Sequence, residues 1–576
     1  MVKEVYLIFK THLDIGFTDY AENVVKSYLE NYIPSAIKRG YELKNTDTPF
    51  KWSTGSWIIN EALKCDSDGI VKKAIEDGII NWHGLPFTSF TESMSEHLLD
   101  YGLSISDRLD ERFGKVTKTA KMSDVPGHTK AMIKQLKKHG IEFLHIGINW
   151  AYYLPDVPPL FRWKNGDDEV VVMYQQTYGE TMEFGEFALE FGFTGDNLGP
   201  QSGEEIAEQY KLLQKKYPKA KIIASTFDEF WERLKEVRDS LPVVESEIGD
   251  LWIHNVGTDP KKVSLYRELL RHIEDNGINA DISDNLLVVP EHTWGLSGFK
   301  FPNFIDYLRK DFEKIKDDPR KRAYEKSWEE KRAYIDKAQK VMGTNYIYDV
   351  TKPDLSDYCE IEIPELDFEI SWQLFGREDY DRYMNLCILP QRHFHYGTII
   401  DNVKFLLPDY ETGIFTAQAK RAYQNGNKTI ILMEFEKEVA SREGLPYMYV
   451  ELEDNKTELK WFDMKENRLP NAFWIKFKGY DEKGWQISKL GQWIDAEGVI
   501  GSPLIAATDK GVRNREVEIE SLDAILVAPY GRRLLDFEKN PSDQDMYFNL
   551  YNNIWNCNHP MWYSDDSRFR FVIKKL

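Results

Sequence analysis

The sequence predicts a multidomain α/β + α + β protein: an N-terminal α/β barrel, a three-helix bundle and a C-terminal antiparallel β-sandwich. Three observations predict this order. Short apolar runs alternate with helical patterns up to about residue 253, long helical stretches follow, and strand patterns fill the rest. At 576 residues, the chain is also too long for one ordinary domain. We expect the barrel in 1–260, the bundle in 261–345 and the β-sandwich domain or domains in 346–576.

The barrel is predicted from nine apolar runs separated by helical patterns. The runs are "VYLIF", "PFKWSTGSW", "GIINWHGL", "TAKMSD", "FLHIGIN", "EVVVMYQ", "FALEFGF", "AKIIAS" and "LPVVESEI". Strands that alternate with helices are typical of βαβ units and a parallel sheet. One helix start is well marked, because Thr226 followed by Glu229 makes a capping box.

The bundle and the sandwich follow a change of pattern. Three helical stretches lie between about 260 and 343: "TDPKKVSLYRELLRHIED", "PNFIDYLRKDFEKIKDD" and "AYEKSWEEKRAYIDKAQKVM". After them, alternating strands with turn clusters indicate antiparallel sheets. Because the chain has no Gly/Ser-rich linker, we expect these sheets to pack against the barrel.

Composition excludes several classes of partner. The net charge of −21 argues against nucleic acid and anionic membranes, which both need a basic face. The four cysteines are far apart and form no CxxC, so no disulfide framework or thiolate metal site is predicted. The first apolar run is too short for a signal peptide, and no stretch approaches the roughly 18 apolar residues of a membrane helix. A cytoplasmic protein is the simplest expectation, and a homo-oligomer stays open.

The first candidate residues are His12 and Asp14, directly after "VYLIF". Side chains at i and i+2 point to the same side of an extended backbone, so both would emerge at the carboxyl end of the strand. Ligands bind at that edge in barrels and open α/β sheets. The alternative is a strand-terminating turn in which Asp14 caps the next helix.

Three further stretches place acids or histidines after a predicted core strand. Asp124 follows "TAKMS", Asp196 lies in the loop "GFTGDNLGP", and "EIGDLWIHN" carries Asp250 and His254. If these strands share one sheet, the side chains converge at its carboxyl edge. Two imidazoles and two carboxylates suit zinc better than magnesium or calcium, although another divalent ion is possible. His12, Asp14, Asp124 and His254 make such a set, which leaves Asp196 to handle protons.

These motifs resemble those of the glycoside hydrolase family 38 α-mannosidases. "THLDIGF" is similar to that family's N-terminal metal motif, His-x-His-x-Asp-x-Gly-Trp, and "SDVPGHT" resembles its nucleophile segment. "TGDNLGPQSGEEI" and "WIHNVGTDP" follow the order of its acid/base and late zinc-histidine segments. The stretches "PEHTWG", "RLPNAFW" and "NNIWNCNHPMW" are similar to a little-characterised bacterial group related to that family.

The resemblance implies a barrel of the seven-stranded type, a function and roles for single residues. The chain would be a zinc-dependent retaining α-glycoside hydrolase, mannosidase-like, that cleaves terminal bonds of a carbohydrate through a glycosyl-Asp intermediate. His12, Asp14, Asp124 and His254 would bind one zinc ion, with Asp124 also the nucleophile and Asp196 the general acid/base. The sequence departs from the family's pattern at Lys10, which stands where the first histidine is usual. Candidate substrate-binding residues are Phe17, Trp57, His83, Asn197, Trp252, Glu291, His292 and Trp294.

Several of these candidates have a second interpretation. Glu291, His292 and Trp294 could instead form a packed helix–loop corner, His83 a buried core histidine, and Trp57 part of the core. Two other functions also stay open. A metal-dependent carbohydrate deacetylase would use a similar Asp/His set to activate water. A non-catalytic sugar-binding homologue would lack an acid or a ligand, yet all five positions are filled.

Overall fold

The computed structural model describes residues 1–277, 279–301, 304, 307–342, 348–392, 407–480, 483–501, 505–536, 544–554 and 557–576. It contains mixed α/β sheets in the N-terminal part and large antiparallel sheets in the C-terminal part. This agrees with the predicted order of α/β, helical and β regions. The domain boundaries and the closed seven-stranded barrel stay predictions.

Each of the predicted N-terminal runs contains a strand. The strands are β1 Glu4–Lys10, β2 Trp52–Gly55, β3 Ile80–His83, β4 Thr119–Asp124, β5 Phe143–Ile148, β6 Leu160–Asn165, β7 Asp168–Gln175, β8 Met182–Phe184, β9 Phe187–Gly192, β10 Lys221–Ala224 and β11 Val243–Val244. Two of them, β6 and β8, were not predicted. Both pair antiparallel with a neighbour, and for this reason the sheets are mixed rather than purely parallel.

The N-terminal strands form two sheets. One has the order β3-β2-β1-β9-β8, with β10 also paired to β1, and the other has the order β11-β6-β7-β5-β4. A backbone hydrogen bond from Gly84 to the carbonyl oxygen of Thr119, 2.8 Å long, connects the end of β3 to the start of β4. β1 pairs in parallel with β9 and β10, and β4 pairs in parallel with β5. The loops that follow the carboxyl ends of these strands therefore lie at the same edge of each sheet.

Helices cover these sheets. They are α1 Ala21–Ser27, α2 Ile33–Leu43, α3 Ser56–Lys64, α4 Ile70–Glu76, α5 Glu96–Phe113, α6 Met132–Lys138, α7 Gly203–Lys216 and α8 Phe227–Leu234. The predicted capping box of Thr226 and Glu229 is confirmed at α8. A second capping box, formed by Ser202 and Glu205, begins α7.

The helical region differs from the prediction in its second stretch. The first and third stretches form α9 Pro260–Asn276 and α12 Pro319–Met342, while α10 Ala280–Leu287 lies against α12. In place of a long helix over 302–318, the described residues form only α11 Arg309–Phe312 and a short 3₁₀ turn; residues 302, 303, 305 and 306 lie outside them. Its buried ring, Phe312, packs in an aromatic cluster with Phe304 and Trp562 instead of lining a helical stripe.

Two antiparallel sheets make up the C-terminal part, with the orders β12-β15-β16-β17-β18-β27-β24-β23-β20-β21 and β14-β13-β19-β26-β25-β22. The strands are β12 Cys359–Ile361, β13 Phe368–Leu374, β14 Gly413–Thr416, β15 Gln418–Asn425, β16 Lys428–Glu434, β17 Tyr447–Glu453, β18 Lys456–Phe462, β19 Asn471–Phe477, β20 Gln486–Lys489, β21 Gln492–Asp495, β22 Ala506–Ala507, β23 Gly511–Arg513, β24 Val517–Ser521, β25 Leu526–Pro529, β26 Met546–Asn552 and β27 Ser567–Lys575. Helices α13 Arg377–Cys387 and α14 Lys437–Glu443 lie between them.

A buried ion triad joins the two parts of the chain. Lys489, at the end of β20, places its Nζ atom 2.9 Å from Glu92 and 2.8 Å from Glu247. All three side chains are at most 3% exposed. The expected packing of the C-terminal sheets against the N-terminal part is therefore made by charge pairing as well as by apolar contact.

Cys65, Cys359, Cys387 and Cys557 are all free thiols, as the sequence predicts. Among the described helices, none has the length and apolar character to cross a membrane.

Candidate active site

Three strand ends bring acids and one histidine together. His12 and Asp14 follow β1, Asp124 is the last residue of β4, and Asp196 lies in the loop after β9. The loop after β9 runs beside the end of β1, where the backbone N–H of Asn197 donates to the carbonyl oxygen of His12 at 3.2 Å. Asp124 has a positive φ of 78°, a conformation rare for non-glycine residues that is often found at functional sites.

A fourth segment delivers His292. The chain around Glu291 pairs with the residues that follow β3: Phe90 N–H donates to the carbonyl oxygen of Pro290 at 2.9 Å, and Ser89 and Glu291 form a β-bridge. His292 itself donates its backbone N–H to Thr88 at 3.3 Å. This pairing places His292, which follows α10 in the chain, at the carboxyl edge of the N-terminal sheet.

His12, Asp14, Asp124 and His292 form one cluster, in which a ligand-type atom of each lies within 4.8 Å of the others. The Nε2 atoms of His12 and His292 lie 3.1 and 3.0 Å from Oδ1 of Asp14. Their distances to Oδ2 of Asp124 are 3.9 and 3.4 Å. Both imidazoles and the Asp14 carboxylate are buried.

Each imidazole is oriented through its other nitrogen. Nδ1 of His12 lies 2.8 Å from the hydroxyl of Ser123, and Nδ1 of His292 lies 2.9 Å from Oε1 of Glu291. Glu291 is in turn paired with the buried Lys331 at 2.8 Å. Such outer contacts fix the ring orientation and tautomer of metal-binding histidines. Burial lowers the pKa of His292, but Asp124, Asp14 and Glu291 outweigh it and raise the pKa well above the usual range, so a metal ion would replace the proton on its Nε2 atom.

The cluster fits a borderline divalent ion. Two imidazole nitrogens and two carboxylate oxygens are a donor set typical of zinc. Oδ2 of Asp14 is buried and has no hydrogen-bond partner among the described residues. A buried carboxylate oxygen without a donor is unfavourable unless a cation compensates it.

The predicted ligand set differs from this cluster in one member, because His254 is not part of it. Residues Ile253–Gly257 form a 3₁₀ helix, where the His254 ring lies edge-on to Tyr383 at 6.5 Å between ring centres. Its carbonyl oxygen accepts a hydrogen bond from Asn552 at 2.9 Å. His292, predicted only as a substrate-binding residue, takes the place of the second imidazole.

The two oxygens of Asp124 have different surroundings. Oδ2 faces the two imidazoles, while Oδ1 accepts hydrogen bonds from Asn149 at 2.7 Å and from the Tyr178 hydroxyl at 2.6 Å. Burial raises the pKa of Asp124, but His292 and His12 outweigh it and lower the pKa below the usual range. This carboxyl group is therefore held in its ionised form.

Asp196 has the opposite character. Burial and the negative charge of Asp14 raise its pKa to about 7, with a smaller contribution from Asp124. It lines the same pocket as Asp14 and Asp124. The pocket therefore contains the ionised carboxylates of Asp14 and Asp124 and one carboxyl group, Asp196, that holds its proton near neutral pH. Asp124 and Asp196 make a pairing suited to a nucleophile and a general acid.

The pocket has a cavity volume of about 40 Å³ and draws on both parts of the chain. Three predicted residues, Phe17, Trp252 and His292, line it together with the acids. Sequence reasoning missed the four remaining lining residues, which are Asn255, Cys557, Asn558 and His559. The last three belong to "NCNHPMW", part of a stretch whose similarity to a bacterial group indicates no role for single residues.

His559 is the most unusual of these. It is 1% exposed, and neither ring nitrogen has a hydrogen-bond partner among the described residues. Its ring packs against Trp294, with 4.8 Å between ring centres. Burial lowers its pKa well below the usual range, so the imidazole is neutral and offers one donor and one acceptor to the pocket.

The other predicted substrate-binding residues do not line this pocket. Asn197 cross-links two loops, accepting from Asp14 N–H at 3.0 Å and donating to the Asp14 carbonyl oxygen at 3.1 Å. Trp57 is buried against Phe87, which agrees with the packing interpretation. Glu291 and Trp294 lie behind His292 and His559, and His83 lines a separate cavity.

Two solved structures share this fold over the whole chain. One is an alpha-mannosidase from Enterococcus faecalis V583, with a TM-score of 0.59, 10% identity, and 100% of this chain and 87% of that chain covered. The other is a protein in the glycosyl hydrolase family 38 from Enterococcus faecalis, with a TM-score of 0.56, 9% identity, and coverage of 100% and 86%. The resemblance predicted from the sequence is confirmed as a distant relationship in fold.

Sequence comparison finds similarity over a smaller part of the chain than structure comparison does. A family model described as a domain of unknown function (DUF5054) matches residues 256–357, the segment that contains α9, α12 and His292. No curated protein matches the chain.

Proposed function

We propose that this protein is a zinc-dependent retaining α-glycoside hydrolase, mannosidase-like, acting on a terminal sugar residue. One observation carries the proposal: two carboxyl groups of opposite protonation, Asp124 and Asp196, line the pocket that also contains the Asp/His cluster. The shared fold with family 38 structures supports the same class of reaction.

Asp124 is the nucleophile in this proposal. Its carboxylate attacks the anomeric carbon and forms a glycosyl ester, while the bond to the leaving oxygen breaks. Asp196 donates its proton to that oxygen. In the second half-reaction Asp196, now ionised, takes a proton from water, which displaces Asp124 and releases the sugar with its original anomeric configuration.

His12, Asp14, Asp124 and His292 would hold the metal. When bound, zinc would supply a positive charge and a template that fixes sugar hydroxyls for attack. The chain's own residues prepare this site: Ser123 and Glu291 orient the imidazoles, and Tyr178 with Asn149 fixes Asp124. His254 has no ligand role in this proposal.

The pocket wall supports a sugar as the ligand. Phe17 and Trp252 provide apolar and aromatic surface, while Asn255, Asn558 and His559 provide groups that can pair with hydroxyls. Such a mixture of aromatic faces and a few placed polar groups is typical of small-ligand sites. Because the segment at Cys557 closes the pocket from the C-terminal part, we propose that only a terminal residue enters.

The test is turnover of aryl α- and β-glycosides, with mannosides included, in chelated protein with and without added zinc. We expect zinc-dependent cleavage of an α-glycoside. A slow fluorinated glycosyl fluoride should leave a covalent adduct that peptide mass spectrometry places on Asp124. Release of acetate from acetylated sugars without any glycosyl adduct would instead establish a deacetylase and end this proposal.

A further inference from the structure

A second cavity, distinct from the pocket of the proposed active site, has His12 in its wall. It has a volume of about 20 Å³, and its polar walls include Thr54, His83, Thr88 and Lys121. These four side chains are at most 5% exposed. Since a cavity needs about 10–15 Å³ to hold one water molecule, this one has room for a single small species.

The walls of this cavity offer donors. Lys121 carries an ammonium group that can only donate, and one of its hydrogen bonds goes to the Ser123 hydroxyl at 2.8 Å. The Thr54 hydroxyl and Nδ1 of His83 have no hydrogen-bond partner among the described residues. Both groups can donate as well, so a ligand that accepts several hydrogen bonds would satisfy all three.

The surroundings are basic. Besides burial, Lys121, His145 and Lys10 lower the pKa of His83, and no carboxylate is among the groups that shift the pKa values of His83, His145 or Lys121. Burial lowers the pKa of Lys121 to about 7, and an anion bound beside it would favour the charged form of this side chain. Lys10 is compensated by the Tyr178 carbonyl oxygen and the rings of Phe191 and Phe193.

We propose that this cavity is a binding site for one small monovalent anion of the size of chloride, held by Lys121, His83 and Thr54. Buried charges in proteins are normally paired, and within the described ranges Lys121 has no acidic partner. A halide accepts hydrogen bonds from every side and supplies the missing negative charge. The small volume of the cavity suits a monatomic anion better than phosphate.

The cavity adjoins the Asp/His cluster, because His12 lines the cavity and also belongs to the cluster. Ser123 stands between them, since its hydroxyl contacts Lys121 on one side and His12 on the other. The anion would therefore offset the positive charge of Lys121 next to the cluster. Its presence can be measured without any assay of activity.

The first experiment is crystallographic. Crystals of the full chain are grown or soaked in sodium bromide, and anomalous scattering is recorded at the bromine edge. We expect a peak within hydrogen-bond distance of Lys121 Nζ and Thr54 Oγ1. A cavity that contains only density for water, without an anomalous peak at high bromide concentration, overturns the proposal.

The second experiment measures stability in solution. The unfolding midpoint is followed as chloride replaces gluconate at constant ionic strength, and we expect a saturable rise in the wild type because the anion binds the folded state. Thr54→Val, which keeps the shape of the side chain and removes the hydroxyl, should reduce this rise, and Lys121→Met should abolish it. An equal chloride effect in all three proteins contradicts the proposal.

Ser53→Ala is the matched control. Ser53 is as buried as Thr54 and its hydroxyl also has no partner among the described residues, but it does not line the cavity. Neighbouring residues of a strand point to opposite faces. Ser53→Ala should therefore keep both the bromide peak and the full chloride effect. If Lys121→Met fails to fold, the comparison of Thr54→Val with Ser53→Ala decides the matter.

Discussion

Oε1 of Glu291 lies 2.9 Å from Nδ1 of His292, and Oε2 of the same side chain lies 2.8 Å from Nζ of Lys331. In the proposed metal site, this carboxylate would fix the imidazole and make it a stronger ligand. Replacement of such an outer partner typically costs about 10–100-fold in metal affinity. We expect this loss for zinc in Glu291→Gln, measured by competition with a chromophoric chelator.

The matched control for this change is Glu330→Gln. Glu330 is next to Lys331 on α12, and its carboxylate accepts a hydrogen bond from Ala21 N–H at 2.9 Å, away from the cluster. Zinc affinity should be unchanged in this variant. Equal affinity in Glu291→Gln and the wild type would show that Glu291 has no part in metal binding.

Asp196→Ala should affect substrates unequally. An aryl leaving group of low pKa hardly needs a proton, so such glycosides should keep much of their glycosylation rate, while unactivated glycosides lose about 10²–10⁴-fold. Added azide should restore part of the deglycosylation that Asp196 serves as base. Asp250→Asn is the comparison, since Asp250 is also buried with a raised pKa but does not line the pocket. Full activity of Asp196→Ala on natural-type glycosides would assign the acid elsewhere.

The pH profile should carry the signature of Asp196. Burial and Asp14 raise the pKa of this carboxyl group to about 7. A general acid must be protonated, so kcat/KM on unactivated glycosides should fall as pH rises above about 7. Positive charge from a bound metal favours the ionised form and should move this alkaline limb to lower pH. An alkaline limb that persists in Asp196→Ala would belong to another group.

His559 should contribute to substrate binding. His559→Phe keeps a ring against Trp294 and removes both nitrogens, so lost hydrogen bonds to the sugar should lower kcat/KM by about 10–100-fold, mainly through KM. His559→Gln can still donate and accept, and should recover part of this loss. Kinetics of the two variants on one aryl glycoside make the test, and identical KM values for both variants and the wild type would exclude contact with the substrate.

Loss of the Lys489 cation from the buried ion triad should destabilise the fold. Lys489→Met leaves Glu92 and Glu247 buried without their partner, which typically costs about 3–5 kcal/mol. Burial already raises the pKa of Glu92, and removal of Lys489 raises it further. Carboxyl groups with a raised folded-state pKa favour folding at low pH, so the loss should be smaller at pH 5 than at pH 8. Urea unfolding at both pH values tests this, with equal losses as the contrary result.

Much of the site was predictable because strand ends are local features. The apolar run before His12 and the run before Asp124 mark buried strands, and their carboxyl ends must carry any parallel-sheet site. Which histidine, His254 or His292, supplies the second imidazole of the cluster could not be predicted from local sequence. It depends on the pairing of Pro290 and Glu291 with the residues after β3, a tertiary contact without a periodic pattern. The acid adjacent to His292 in "PEHTWG" was the available signal.

The strands that were missed have a common physical reason. β8 is only three residues long, and β6, "LFRWKN", ends in charged and polar residues, so neither makes a clear apolar run. Both are held by antiparallel pairing to a stronger neighbour rather than by their own composition. The prediction of a helix over 302–318 was wrong for a different reason. Phe312 packs in an aromatic cluster whose members come from distant parts of the sequence.

The pocket that joins Asp14 to His559 also sets an order of events during synthesis. At about 5–20 residues per second, tens of seconds pass between the emergence of these two residues from the ribosome. A nascent or prematurely terminated chain can assemble the carboxyl ends of β1 and β4 while the roof formed by residues 557–559 is still missing. Once His292 has also emerged, the proposed metal ligands are complete, so under the proposed function such a chain could bind a divalent cation before it could bind a sugar.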